Sequence, residues 1–479
     1  MLNKLSISEC IEKLKKKEIT ATELTNAYLK EIDNRDNEIN AYIKVTKDLA
    51  LEKAEEIDKK REKEVLKPLA GIPGGIKDNI CTKEVNTTCA SKMLKDFVPT
   101  YNATVIDRLM DNDFVMLGKL NMDEFAIGGG GEYSYYGPAR NPLNPKYVAG
   151  GSSSGSAASV AAYECAFSLG TDTGGSVLKP SAYCGVVGIK PTFGTVSRYG
   201  VIGFAPSCEQ TGPITRTVVD NALVLNAIAG YDKKDSASKD RGNIDFLEDI
   251  NKDIKDLRIA IPKELLESDI IHQSVRKGFD QALEVFKDLG CKVDVVSMPA
   301  LKNALSAYYV ISCCECTSSL SRYDGVRFGY RTKEYSNMDE LYKKTRREGF
   351  GHEVKRRIIF GTYVLTEKEK NYLDQAQKVR TLIALEYNNT FKNHDILLTP
   401  ASPKTAPLIG EKPGDPADKY RDDIFTVPIN LAGVPALSVP TFKDFRGLPM
   451  GMILTGKLHD EKTLYRAGHA FEKTRGTLQ

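Results

Sequence analysis

The chain has 479 residues, 41% of them hydrophobic and 27% charged, a mixture that excludes disordered, collagen-like and coiled-coil chains. Lys and Arg total 67 against 64 Asp and Glu, leaving a net charge of +3, too feeble over this length to carry affinity for nucleic acid. The start, Met1-Leu2-Asn3-Lys4-Leu5-Ser6, lacks the apolar stretch of a signal peptide. The most apolar small-residue run, Ala157 to Leu169, is broken by Glu164 and falls short of the roughly 20 residues that span a bilayer, so no membrane contact is expected. Ten cysteines without a disulfide-like spacing indicate reduced thiols and a cytoplasmic protein.

In chain order, residues 6 to 62 carry helical signals. Ser6-x-x-Glu9 and Thr20-x-x-Glu23 read as capping boxes, and Leu24, Ala27, Tyr28 and Ile32 recur at helical spacing. From Leu69 to Gly203 glycine, serine and small apolar residues replace the Lys/Glu-rich pattern, which marks this stretch for the chemistry. Leu257–Pro262 reads as a strand, Ser268 to Leu289 as a helix and Cys291–Val296 as a strand. Cys313-Cys314-Glu315-Cys316 lacks zinc-site spacing and reads as a buried helix, so no metal is assigned. Further strands are predicted at Ile396–Leu398, Ala436–Val439 and Met450–Leu454, before a last helix near Lys462 to Lys473. This alternation indicates an α/β fold. Length alone suggests about three domains, but the absence of a repeat or linker favours one, spanning residues 1–479 with an N-terminal helical layer over about residues 1–62.

Three glycine-rich patches stand out. Gly150-Gly151-Ser152-Ser153-Ser154-Gly155-Ser156 leads into the small-residue helix Ala157–Ala162. It matches the Gly-x-Ser-x-Gly elbow, but Pro142 and Pro145 just before it are hard to reconcile with the central strand that elbow needs. The second patch, Gly170-Thr171-Asp172-Thr173-Gly174-Gly175-Ser176, follows an apolar run and can expose a serine hydroxyl beside unobstructed backbone N–H groups. Ser176 is the better nucleophile candidate. In the third, Gly71-Ile72-Pro73-Gly74-Gly75-Ile76-Lys77, a lysine sits in a strand-like apolar setting, where burial lowers its pKa and frees it to act as a base. None of the five histidines lies in these patches, and a Ser-Lys mechanism needs none. Gly451 to Leu458 nearly fits a phosphate loop, but Leu458 has no hydroxyl for Mg²⁺ and Met-Ile-Leu reads as a strand.

Together, Lys77 and the two serine patches resemble the amidase-signature family. The match extends through Cys184 to Thr192 and Gly212 to Thr217, and Arg322 to Arg327, Glu353 to Arg357 and Asn430 to Leu437 resemble one branch, the A subunits of glutamyl-tRNA(Gln) amidotransferases. The resemblance implies a three-layer α/β/α fold around one large mixed sheet. It implies a Ser-cisSer-Lys triad of Ser176 as nucleophile, Ser152 as bridge and Lys77 as base, with Thr173, Gly174 and Gly175 at the oxyanion hole. It further assigns Asp423 to the ammonium of glutamine, Arg357 to its carboxylate and Tyr308 to the pocket wall, each beside a like residue (Asp422, Arg356, Tyr309) that makes a one-residue slip possible. The implied partners are a B subunit, which carries ATP, Mg²⁺ and tRNA, and a small C subunit in a heterotrimer. No cofactor is expected on this chain, whose task is to supply ammonia.

The pattern departs in three places. Relatives usually read Gly-Gly-Ser-Ile-Arg-Gln, whereas this chain reads Gly174-Gly175-Ser176-Val177-Leu178-Lys179 and lacks the arginine, which puts the bracing of the serine loop in question. Ser154 replaces a usual glycine; a left-handed backbone there costs an L-residue roughly 1–2 kcal/mol. The run Gly128–Gly131 replaces a stretch richer in Ser and Thr and removes polar contacts to substrate. Two other classes stay open, a free-standing amidase on another small amide and a low-activity scaffold subunit.

Overall fold

The computed structural model describes residues 1–267, 269–367, 369–411 and 418–476. Among them, eleven strands are β1 (Tyr42–Val45), β2 (Pro73–Lys77), β3 (Val115–Leu120), β4 (Phe167–Asp172), β5 (Val187–Lys190), β6 (Gln210–Thr215), β7 (Arg258–Pro262), β8 (Lys292–Val296), β9 (Ile396–Pro400), β10 (Ala436–Lys443) and β11 (Pro449–Gly456). All lie in one sheet of order β1-β3-β2-β4-β6-β5-β10-β11-β9-β7-β8. It is mixed: β2 runs parallel to β3 and β4, and β7 to β8 and β9, while β4, β6, β5, β10, β11 and β9 pair antiparallel in turn.

Both faces are covered, as the strand sequences require. Side chains alternate across a strand, and in the middle of this sheet both sets are apolar. Leu437, Val439, Met452 and Leu454 enter one core with the helices Val218–Ile228 and Glu461–Arg475, whereas Ala436, Ile453 and Leu397 enter a second core with Leu178–Cys184 and Ala304–Leu320. The α/β reading and the strand from Gly451 in place of a phosphate loop agree with this sheet. The helix read over Ser268 to Leu289 starts later, at Gln273, and its expected first residue lies outside the described residues.

The N-terminal segment is not purely helical. Both capping boxes form, at Ser6 with Glu9 and at Thr20 with Glu23, but between the helices Ala21–Ile39 and Lys47–Lys60 the chain adds β1 to the sheet edge. A four-residue strand leaves too few residues for alternation to reveal it. Cys313, Cys314 and Cys316 lie buried in Ala304–Leu320. Among the described residues no helix is long and apolar enough to cross a membrane, and no group of three or more His, Cys, Asp or Glu side chains is placed to hold a metal.

Candidate active site

Lys77 is the last residue of β2 and Asp172 the last of β4, its parallel neighbour. Their carboxyl ends therefore open at the same edge of the sheet, where parallel strands ordinarily deliver functional loops. Lys77 is fully buried. Its Nζ lies 2.8 Å from Ser152 Oγ, 2.8 Å from Ser153 Oγ, 3.0 Å from Thr171 Oγ1 and 3.2 Å from Thr171 O. Burial pushes the ammonium down to about 7, against the opposing pull of Glu209, Asp172 and Asp123. The donor inventory decides where the protons sit. Ser153 Oγ donates to Thr171 O at 3.1 Å, so toward Ser153 the lysine is the donor. The Ser152 hydroxyl has no other partner among the described residues, which leaves its own proton free to point at the lone pair of a neutral Lys77.

The Gly151–Ser152 peptide is cis, and the helix Ser154–Ala161 begins two residues later with every residue from Ser154 to Val160 buried. Ser154 is thus helical, and the left-handed backbone considered for it does not arise. Ser153 and Ser156 can be buried because they satisfy strand carbonyls: Ser156 Oγ donates to Leu169 O at 3.0 Å, as Ser153 does to Thr171.

Ser176 lies on the loop after β4, joined to the first loop by a hydrogen bond from Ser153 N to Ser176 O of 3.1 Å. Ser176 lines a small chamber, and its hydroxyl makes no hydrogen bond to Ser152 or any other described residue. The structure thus brings Lys77 and Ser152 into contact and sets Ser176 alongside, its hydroxyl not yet engaged. Outside the strand ladder the N–H groups of Thr173, Gly174 and Ser176 have no acceptor among the described residues. Gly175 requires a correction, because its N–H is donated to Asp172 Oδ1 at 2.7 Å and is committed to holding the loop. Asp172 also accepts from Val177 N at 2.7 Å and Leu178 N at 3.3 Å, while Asn430 Nδ2 donates to it at 2.9 Å and Thr426 Oγ1 to Gly174 O at 2.7 Å. The loop is therefore braced without the missing arginine, whose place is taken by Leu178 inside the second apolar core.

The chamber is lined by Gly129, Gly174, Ser176, Phe204, Tyr308 and Arg357, among others, and shares Gly129, Lys179 and Tyr309 with a second, outer cavity. Tyr308 crosses directly over the serine loop: a Cβ on Gly174 would lie 2.4 Å from its hydroxyl oxygen, so only glycine fits there. Arg357 and Asp423 border both cavities. Arg356 borders only the outer one, and Asp422 pairs with Lys404 at 3.2 Å. Arg357 is positioned by Glu353, which accepts from its Nε at 2.9 Å and also holds Arg356. Its guanidinium centre lies 4.7 Å from the Tyr309 ring centroid, and the guanidinium also lies against the Cys313 thiol. Asp423 is engaged on both oxygens, by Lys179 Nζ on one and by Tyr309 Oη at 2.8 Å on the other.

Several of these residues escape a reading of the sequence. Asp172 and Glu353 carry a signal, an acceptor just ahead of Thr-Gly-Gly-Ser and a carboxylate three and four residues before two arginines on one helix. Ser153 is hidden among like neighbours. Asn430 reaches Asp172 from 258 residues away and carries no local signal.

The chain matches the family model described as Amidase over residues 23–465. It is 49% identical over 469 residues to the A subunit of the glutamyl-tRNA(Gln) amidotransferase of Staphylococcus epidermidis, covering 98% of this chain and 96% of that protein. The crystal structure of the corresponding A subunit of the glutamyl-tRNA(Gln) amidotransferase from Thermotoga maritima is similar with a TM-score of 0.82 and 39% identity, covering 99% of this chain and 95% of that one. The peptide amidase of Stenotrophomonas maltophilia is similar with a TM-score of 0.85 and 28% identity, covering 99% and 98%.

Proposed function

The chain belongs to the amidase family, and from that premise we propose that it is the glutamine-hydrolysing subunit of a glutamyl-tRNA(Gln) amidotransferase, supplying ammonia to a B subunit within a heterotrimer closed by a C subunit. The observation that carries the chemistry is a buried Lys77 within 2.8 Å of the hydroxyl of Ser152, beside Ser176 at the chamber. Neutral Lys77 takes the Ser152 proton, Ser152 takes that of Ser176, and Ser176 Oγ bonds to the side-chain amide carbon of glutamine. The Ser176 hydroxyl turns to Ser152 when substrate is bound, since catalytic hydrogen bonds often close only in the complex. The developing oxyanion is met by the free N–H groups of Thr173, Gly174 and Ser176. The relay returns a proton to the leaving nitrogen as the C–N bond breaks, and ammonia departs. Water then attacks the acyl-enzyme along the same path, releasing glutamate and restoring Ser176.

Tyr308 walls the chamber, Arg357 takes the glutamine carboxylate through its two Nη groups, and Asp423 takes the ammonium. ATP, Mg²⁺ and tRNA are handled by the B subunit, in the cytoplasm, in keeping with a chain of net charge +3. One sheet incorporating strands from β1 to β11 supports reading residues 1–479 as a single domain. The test is purification of the protein with whatever subunits accompany it, followed by assay of ammonia release from glutamine with and without tRNA. B and C subunits should copurify, tRNA should raise the rate, and Ser176→Ala should lower it by about 10³-fold or more. A lone chain that hydrolyses varied amides would point instead to a free-standing amidase, and an inert chain that still forms the complex to a scaffold.

A further inference from the structure

Asp423 is the only carboxylate lining the inner chamber among the described residues, and both of its oxygens are already taken by groups of this chain. Lys179, the second residue of the helix that follows Ser176, is buried and ion-paired with Asp423. The chain makes room for that ammonium: a Cβ on Gly129 would stand 2.8 Å from Lys179 Nζ and 3.6 Å from Asp423 Oδ1. Two departures noted in the sequence, the lysine and the glycine run, are thus complementary parts of one contact. The acids of the outer cavity are engaged elsewhere: Glu353 by Arg356 and Arg357, Asp422 by Lys404, Glu132 by Gly410 N and Glu411 by Leu408 N. The inner chamber presents two cations, Lys179 and Arg357, against one anion. A zwitterion needs one of each, with the anion available.

We propose that Lys179 is a specificity-determining residue. It occupies Asp423 in place of a substrate α-ammonium, so that glutamine binds by displacing it, whereas ω-monoamides of dicarboxylic acids without an ammonium group bind with no such displacement. This rests on the reading of the chamber as the site of amide hydrolysis. For an amide bearing only a carboxylate, Lys179 and Arg357 form a complementary cationic end, and the Lys179–Asp423 pair stays whole. For glutamine, Lys179 must leave a buried partner and find another, and the substrate carboxylate beside Arg357 is the anion nearest to hand.

The experiment uses the full chain carrying Ser176→Ala, so that amides bind without turnover, and titrates it calorimetrically with glutamine and with glutaramate, the same five-carbon amide lacking the ammonium. With Lys179 present, glutaramate should bind at least as tightly as glutamine. Lys179→Gln should shift the ratio of the two dissociation constants by about tenfold or more in favour of glutamine. Lys179→Met provides the same comparison if the glutamine side chain itself pairs with Asp423, and the thermal unfolding midpoint of each variant reports folding. A ratio that stays within about twofold for folded variants overturns the proposal, as does preference for glutamine with Lys179 in place. The hydrolytic reading fails separately, by absence of ammonia release from any amide when Ser176 is intact.

Discussion

Lys77 makes the most demanding use of a single side chain, because it must be neutral to accept a proton and is buried where charge is costly. With its ammonium pushed down to about 7, the active form populates as pH rises through that value. The rate of acylation should therefore climb about tenfold per pH unit below pH 7 and level off above it, measured as kcat/KM for ammonia release. Lys77→Arg keeps a permanent charge and should be inactive at every pH tested; recovery of activity at high pH would contradict the role of base. The same shift has a stability consequence. Between about pH 7 and 10.5 the unfolded chain holds a proton on Lys77 that the folded chain has released, so the contribution of this one group to stability rises with pH across this window. Denaturant titrations at several pH values should show a more positive slope in the parent protein than in Lys77→Met. Lys77 and Ser176 stand out in the sequence because glycine and small residues surround them, whereas Ser152 is singled out from its like neighbours only by the family resemblance. The state of the Asp423 pocket is not, since the Lys179–Asp423 pair joins residues 244 apart.

Between the strands and the site stand short connecting loops, and the order of the serine loop depends on a side-chain acceptor for its backbone N–H groups. The carboxylate of Asp172 collects the N–H groups of Gly175, Val177 and Leu178 and the amide of Asn430. A charged acceptor is worth more per hydrogen bond than a neutral one, and its loss leaves buried donors unpaired. Asp172→Ala should therefore cost about 3 kcal/mol or more in unfolding free energy and abolish turnover. Asn430→Ala removes one donor and should cost about 1–2 kcal/mol while lowering kcat more than it raises KM for glutamine. An Asn430→Ala enzyme with unchanged kcat would place Asn430 outside the support of the serine loop. At the far end of the chain the capping boxes provide a control at the same scale. Thr20→Ala loses the bond to Glu23 N and should cost about 1 kcal/mol with kcat untouched. Capping signals at the N-terminus and the apolar strands after residue 250 are readable because each is local. The antiparallel order of the central strands is set by pairings between distant segments, and no local pattern records it.

The whole molecule is organised by the sheet, and its N-terminal stretch is where that organisation is most exposed to test. Residues 1–62 read in the sequence as a Lys- and Glu-rich helical layer ahead of the glycine-rich region. In the fold they supply β1, which pairs with β3, and β3 in turn pairs with β2, the strand that ends in Lys77. Ile7, Leu24, Tyr28, Ile32 and Ile57 also lie in the same apolar core as Ile76, Leu117 and Leu169. Removing the segment would uncover both a strand edge and apolar surface, the combination that drives association between chains. Deletion of residues 1–62 should therefore yield insoluble or aggregated protein, and any soluble fraction should be inactive because the neighbour of β2 has lost its outer support. The intact chain should unfold as one unit: tyrosine fluorescence, available from 22 tyrosines with no tryptophan to mask it, and far-ultraviolet circular dichroism should report coincident urea transitions. A soluble, monomeric deletion variant with normal ammonia release, or two separated transitions in the parent, would show instead that the N-terminal layer is an independent domain resting on a sheet that does not need it.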